Sequence, residues 1–451
     1  MSTLPAGFTP VFYAQHPDEE LLITALETSS PVVSIRRNPR KTARNFAGTE
    51  KVSWCTQGLY LPERPSFTFD PDFHSGCYYV QEASSMFLEQ AIKALTFQGG
   101  SRRVLDLCAA PGGKSTHLLS LLNDDDLVVS NEIIKTRTPI LGDNINRWGN
   151  ANSFVSQNDP KDFVRLAGYF DLIVADAPCS GSGMFRKDEK AIDEWSPQLV
   201  DLCQKRQRRI LADVLPALKQ DGYLIYSTCS FSDEENEDIA DWLTGEFDLE
   251  SIRIPLETEW NITETESHIH KAYGYRFYPH KLRGEGFFLA AFRKKEGENS
   301  PLKTNRSKEK PAKAPDQIYD WLINDTYVLK AHRDDWYALH PQHAADWDIL
   351  RQHLHLYKSG VKTGRFAGKD FLPDYELAQS LIISPEIAGA ELDEETAIRY
   401  LRKENIGVKT APGWTLARFG GNGLGWMKVL PNRVNNYYPK EIRILKPVPE
   451  Y

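Results

Sequence analysis

The stretch Val104–Thr116, VLDLCAAPGGKST, sets an apolar run ending in an acid against a loop of Ala, Pro and Gly that opens a helix. Its GKST ending invites a phosphate loop. That motif needs G-x-x-x-x-G-K-[ST], and the position five before Gly113 holds Cys108 instead of glycine. The dinucleotide pattern G-x-G-x-x-G is also absent from CAAPGGK. What remains is a strand ending in Asp106 and a tight loop that lets backbone amides approach a ligand at the strand's carboxyl end. Glu132 ends the next apolar run and is placed to bond a ribose diol. Asp159 follows the third run and is placed to meet an adenine edge. Acids ringing such a pocket favour a ligand with cationic character over a triphosphate. S-adenosylmethionine, a sulfonium that also carries an ammonium, fits that description.

Outward from this loop, strand-like and helix-like segments alternate. RVLDL, LVVSNE, SFVSQ, DLIVADA and YLIYSTCS are the apolar strand candidates. HLLSLL, TPILGDNINRWG and QLVDLCQKRQRRILADVLPAL are helical in pattern. The alternation predicts an α/β fold with a parallel sheet covered on both faces. A late antiparallel pair, YRFYPH and GFFLAAFRKK, is expected to close it. Upstream, PDEELLITALE reads as a short helix, PVVSIRR as a strand, and Gln81–Leu95 as a helix. Lys294–Pro315 is polar, Pro-bearing and basic, and reads as a tether before a new globular segment.

The 451 residues exceed one ordinary core, so several domains are expected. No apolar run approaches the roughly 18 residues that span a bilayer. The N-terminus lacks the basic head and apolar segment of a secretory signal. The six cysteines are scattered with no C-x-x-C pair, which argues against a disulfide framework or a zinc site and for a reducing cytoplasm. Net charge is −8, which alone speaks against nucleic-acid binding. Basic residues nevertheless cluster: Arg36, Arg37, Arg40, Lys41, Arg44 and Lys51 in one stretch, and Lys205, Arg206, Arg208 and Arg209 in another. Each is a solvated patch or an RNA contact on sequence grounds.

Two further strands end in cysteine-bearing loops, DAPCSGSG (176–183) and STCS (227–230). Free cysteines are commonly small buried hydrophobes. Their position at strand carboxyl ends, where open α/β sheets hold their sites, favours chemistry. A thiolate adding to carbon 6 of a pyrimidine makes carbon 5 nucleophilic enough to take a sulfonium methyl. The pocket must activate such a thiol. Asp176 is placed to steady ring nitrogen 3 or the exocyclic amine. The residues alone leave open whether Cys179 or Cys229 attacks.

QEASSM (81–86), CAAPGGK, DAPCSGSG and STCS, in this order, strongly resemble the Nop/Sun family of RNA cytosine-C5 methyltransferases. The resemblance implies an α/β, Rossmann-like S-adenosylmethionine-dependent methyltransferase core. A small N-terminal α+β RNA-binding segment and a C-terminal α+β, PUA-like region flank it. It assigns Cys229 as nucleophile, Cys179 to release of the methylated base, and Asp176 to the base and the cofactor side. It assigns the cofactor to Cys108, Ala109, Ala110, Pro111, Gly112, Gly113 and Lys114, with Glu132, Arg137, Asp159 and Asp176 as further contacts and no metal. Within the family the layout most resembles bacterial small-subunit rRNA enzymes.

The implied domains are 1–77, an RNA-binding segment; 78–294, the catalytic domain; 295–315, a flexible basic linker; 316–385, an α+β subdomain; and 386–451, a PUA-like RNA-binding domain. The expected substrate is rRNA, with the small ribosomal subunit as context, no membrane and no obligate protein partner. A tRNA substrate is the alternative. From another class, a non-catalytic RNA-binding assembly factor would keep fold and cofactor. Phe366, Trp414, Tyr437 and Tyr438 are candidates to stack on bases.

Overall fold

The structure is a computed structural model describing residues 4–297 and 314–447. Most of the expected basic linker, residues 298–313, lies outside the described residues.

The apolar runs form the parallel centre of a ten-stranded sheet. From one side its order is Leu218–Thr228, Phe170–Asp176, Arg103–Asp106, Leu127–Asn131 and Ser153–Ser156. Alternate residues split between two cores, as burial of both faces requires. Leu105, Val129, Ile173 and Tyr226 pack on one side, and Val104, Val128, Leu172 and Ile225 on the other. The late pair lies antiparallel at one flank: Phe287–Lys294 joins Leu218–Thr228, and Tyr273–Phe277 follows it.

The opposite edge was not legible in the sequence. Strand Leu356–Ser359, from the C-terminal region, pairs antiparallel with Ser153–Ser156. The junction is fixed by His355, whose carbonyl accepts from Gln157 N (3.0 Å) and whose amide donates to Asn158 Oδ1 (3.0 Å).

The N-terminal region carries a four-stranded antiparallel sheet in which Val33–Arg37 lies between Gly58–Leu61 and Tyr78–Val80. Its first helices, Phe8–Gln15 and Leu21–Thr28, bury Phe8, Phe12, Leu22 and Leu26 against Phe185, Trp195 and Phe231. The N-terminus thus buttresses the loops that follow Cys179 and Cys229. The expected helix over 81–95 starts later than its pattern suggested, as a 3₁₀ turn Ser84–Phe87 leading into helix Leu88–Ala94. Gln81 is drawn out of it by a hydrogen bond from Arg36 Nε (2.8 Å), and Glu82 caps the turn by accepting from Ser85 N (3.0 Å).

Two further four-stranded sheets follow, one over 328–373 and one over 389–436. They share a core through Leu377, Leu416 and Trp426. Of the four aromatic stacking candidates, Tyr438 is buried and Phe366 packs on Phe371 (5.2 Å). Trp414 lies against Tyr437 (4.6 Å). Core packing accounts for most of them.

Four of the six members of the first basic cluster are engaged within the protein, while Arg37 and Lys51 have no ion pair among the described residues. Arg36 is fully buried over the Trp148 ring (4.6 Å), with hydrogen bonds to Gln81, Thr116 and the Gly113 carbonyl. Lys41 Nζ donates to the carbonyls of Ser75 (2.8 Å), Arg147 (2.6 Å) and Gln379 (2.8 Å), joining N-terminal, core and C-terminal segments. Arg40 pairs with Asp124, and Arg44 with Asp70, Asp72 and Glu394. These cations are spent on holding segments together. In the second cluster Lys205 pairs with Asp201, and Arg209 with Asp159 and Asp213.

Candidate active site

The glycine loop runs from the end of strand Arg103–Asp106 into helix Gly113–Leu121. Gly112 makes the turn at φ +114°, a left-handed conformation that a side chain would strain. Arg36 holds the start of that helix from behind through the Gly113 carbonyl and the Thr116 hydroxyl.

In front of the loop is a cavity of about 380 Å³. Cys108, Ala109, Ala110, Pro111, Gly113 and Lys114 line one side. Asp176, Cys229, Met184 and Phe287 line another, and Tyr79 and Gln81 a third. Lys114 Nζ lies 2.8 Å from Asp176 Oδ2 and 5.0 Å from the Phe287 ring centre. The other carboxylate oxygen, Asp176 Oδ1, accepts from Ser227 Oγ (2.8 Å). Both oxygens are therefore oriented, and the group stays partly open to the cavity.

Cys229 and Cys179 are brought together, with sulfur atoms 2.9 Å apart and both thiols free. The Cys229 amide donates to the Cys179 sulfur (3.3 Å). The hydrogen bond to Cys229, burial, and the charge of that neighbour all push the Cys179 thiol well above its ordinary range. The thiol form of Cys179 is favoured there. It does not line the cavity; Cys229 does.

Sequence reasoning missed Glu235, which ties the two cysteine loops together. Its buried carboxylate accepts from Ser180 N (2.8 Å), Ser180 Oγ (2.5 Å), Ser230 Oγ (2.6 Å) and Gln207 Nε2 (3.2 Å). The only signal was an acidic run, Asp233–Glu235, after STCS. Gly183 closes the arrangement, its amide donating to the Cys229 carbonyl (2.8 Å).

Of the predicted cofactor residues, Gly112, Glu132, Arg137 and Asp159 do not line the cavity. Glu132 is buried and accepts from Ile134 N (2.8 Å). Arg137 lies 3.5 Å from Glu132 and donates to the Ala110 carbonyl (2.5 Å), bridging acid and loop. Asp159 caps the turn Pro160–Leu166 by accepting from Lys161 N (3.1 Å), and its same oxygen lies 3.4 Å from Arg209.

Asp106 Oδ1 is buried with no hydrogen-bond partner among the described residues, while Oδ2 accepts from Ser115 Oγ (2.6 Å). Burial pushes this carboxyl up to about 7. An orphaned acceptor, a second acid at Glu132 and a loop of close backbone approach fit a ligand bearing an ammonium and a ribose.

The doubly covered parallel sheet, with its glycine loop and acids at the strand ends, defines the α/β methyltransferase class. The chain belongs to the ribosomal RNA small subunit methyltransferase F family. The family of 16S rRNA methyltransferase RsmB/F matches residues 93–293, the N-terminal domain of 16S rRNA methyltransferase RsmF matches 4–83, and the RsmF PUA domain matches 390–444. The ribosomal RNA small subunit methyltransferase F of Psychromonas ingrahamii is 30% identical, with 87% of this chain and 85% of that protein covered. That of Cronobacter sakazakii is 30% identical over 87% and 84%. Among solved structures, a methyltransferase homolog protein from Pyrococcus horikoshii is similar at a TM-score of 0.53 and 29% identity, covering 63% of this chain and 93% of that one. NSun6 from Pyrococcus horikoshii, crystallised with SFG, shares the fold at a TM-score of 0.55 and 20% identity, covering 65% of this chain and 99% of that one. No helix among the described residues is long and apolar enough to cross a membrane.

Proposed function

We propose that this protein methylates carbon 5 of a cytosine in small-subunit rRNA, with S-adenosylmethionine as donor and a transient bond between Cys229 and the base. The observation that carries this reading is the Cys229 sulfur on the cavity wall beside Asp176, 2.9 Å from a second thiol.

Cys229 Sγ, as thiolate, forms a bond to carbon 6 of the cytosine, and the ring electrons shift to carbon 5. Asp176, oriented by Lys114 and Ser227, accepts from the exocyclic amine and fixes the base edge, and the Lys114 ammonium beside it offsets the charge that develops on the ring. The backbone of Cys108–Lys114 would hold the cofactor, with Glu132 as a further contact. S-adenosylmethionine supplies an electrophilic methyl group when bound. After transfer a water molecule in the cavity takes the carbon 5 proton, the carbon–sulfur bond breaks, and Cys229 departs as thiolate. Cys179, whose sulfur lies 2.9 Å from that of Cys229, is placed to hydrogen-bond the departing thiolate and serves that release. Reaching a base edge requires an unstacked nucleotide, so a loop or an unfolded stretch of rRNA is the substrate. The place of work is the cytoplasm, where the small subunit is assembled.

The test is chemical. Cys229→Ser abolishes methyl transfer to rRNA, and Cys179→Ser accumulates a protein–RNA adduct visible on a denaturing gel. Parental methylation by both variants would overturn the mechanism. Bisulfite mapping of rRNA and tRNA from cells with and without the gene identifies the cytosine. A 5-methylcytosine lost from tRNA alone would move the substrate there, and none lost from either would favour an assembly factor.

A further inference from the structure

We infer that a pocket in the C-terminal region, remote from the methyl-transfer cavity, binds the phosphodiester chain of the RNA substrate. This rests on the RNA methyltransferase reading above. The pocket, about 340 Å³, lies between the tip of the hairpin Val328–His332 and Asp335–Leu339, helix Ala344–His353 and strand Leu356–Ser359.

Its charge is the first argument. Arg333, exposed at the hairpin tip, has no carboxylate partner among the described residues. The Arg351 guanidinium lies over the Trp347 ring (4.3 Å) and donates to His332 Nδ1 (2.8 Å), so it too is unneutralised there. The one carboxylate in the lining, Asp335, is taken by Lys362 Nζ (3.0 Å). By contrast Arg40, Arg44 and Arg209, from the clusters the sequence singled out, all face carboxylates. In a chain of net charge −8, this concave site concentrates unspent guanidinium charge. A guanidinium fork held on an aromatic face suits a phosphate oxygen pair. Tyr357, 49% exposed in the wall, offers a face for a base.

Its position is the second. Leu356 pairs with Ser156, the last residue of its parallel strand, and His355 precedes it beyond the sheet's carboxyl edge. Cys229 follows Thr228 at that same edge. Five strand steps separate the two strands, about 24 Å at about 4.8 Å per step. One RNA strand lying along this edge spans both sites, the target base at Cys229 and a flanking nucleotide at Arg333 and Arg351.

The experiment uses the full-length protein and a labelled small-subunit rRNA transcript, with affinity measured across salt concentrations and the RNA KM and kcat measured separately. Arg333→Gln keeps a non-glycine residue at the tip's positive φ and so leaves the turn's strain unchanged. Arg333→Gln and Arg351→Met are each expected to lower the slope of log affinity against log salt by about 0.7 to 0.9, the value of one lost phosphate contact. The loss falls in KM, rising several-fold, instead of kcat. Arg253→Gln, removing an exposed arginine paired with Glu264, keeps the parental slope. Parental slopes and KM in both pocket variants would overturn the proposal. Should Arg351→Met melt early through loss of its Trp347 contact, Arg333→Gln alone decides. A parent that binds rRNA with the expected slopes but transfers no methyl would sink the methyltransferase reading and leave this pocket standing.

Discussion

Glu235 accepts two hydrogen bonds from Ser180, one from its amide (2.8 Å) and one from its hydroxyl (2.5 Å). Ser180 follows Cys179, and Ser230, which follows Cys229, donates to the same carboxylate (2.6 Å). The spacing of the two sulfurs is thereby set by a side chain that does not line the cavity. Glu235→Gln keeps the volume but turns an amide group toward donors, and a buried unpaired polar group costs about 1–3 kcal/mol. The expected result is a lower melting temperature together with a kcat loss of about tenfold or more, with the cofactor KM unmoved. Parental kcat in a folded Glu235→Gln would show that the loops hold their spacing without it.

Lys114 has a separate job, since it pairs with Asp176 (2.8 Å) across the cavity. Lys114→Met keeps an unbranched apolar stem against Phe287 but leaves Asp176 with Ser227 as its only oriented partner. Loss of one preorganised charged partner at a reacting site costs about 10²-fold in kcat. Single-turnover methyl transfer under saturating rRNA measures it. A loss confined to cofactor affinity would place Lys114 with the donor instead of with Asp176.

The sheet was legible because its strands are buried on both faces, so their sequences are continuous apolar runs that end at loops. DLIVADA and YLIYSTCS need no tertiary information to be seen as strands. Strand Leu356–Ser359 was not legible: LYKS has no such run, and its place depends on backbone hydrogen bonds to Gln157 and Asn158, far away in the chain. The same limit hid the burial of Arg36, whose acceptors lie 45 to 84 residues away. It hid Glu235 as well. Nothing local distinguishes it from Asp233, which turns instead to Arg276 (2.6 Å). The cysteine-bearing loops could be placed at the sheet's edge from sequence, but the distance between their sulfurs could not.

Asp106 is expected to make cofactor binding depend on pH. Burial raises its carboxyl from the ordinary 3.8 to about 7, so the folded protein holds a proton that the unfolded chain releases. Its contribution to stability is fully present below about pH 4 and is lost as the pH rises to about 7. Binding runs the other way, because a cationic ligand prefers the ionised carboxylate. S-adenosylmethionine affinity is therefore expected to rise between about pH 6 and about pH 8, as calorimetric titration at fixed ionic strength would measure. Asp106→Asn should bind more weakly with a flat profile. A flat profile in the parent would mean that Asp106 does not meet the ligand's charge.

Gly183 tests how closely the cysteine loops must approach. A Cβ there would lie 2.3 Å from the Gly286 carbonyl oxygen and 2.8 Å from the Cys229 carbonyl oxygen, both backbone atoms that cannot swing aside. Gly183→Ala must therefore push apart the segments carrying Cys229 and Phe287. Overpacking of this kind costs about 1–3 kcal/mol. Because the displaced backbone bears the sulfur proposed to attack, methyl transfer is expected to fall along with the melting temperature. Gly407→Ala, where nothing lies within 4 Å, serves as the comparison and changes neither. Thermal melting and single-turnover kinetics on the two variants separate the outcomes. If Gly183→Ala melts early but transfers methyl at the parental rate, the Gly183 contact holds the fold without setting the position of Cys229.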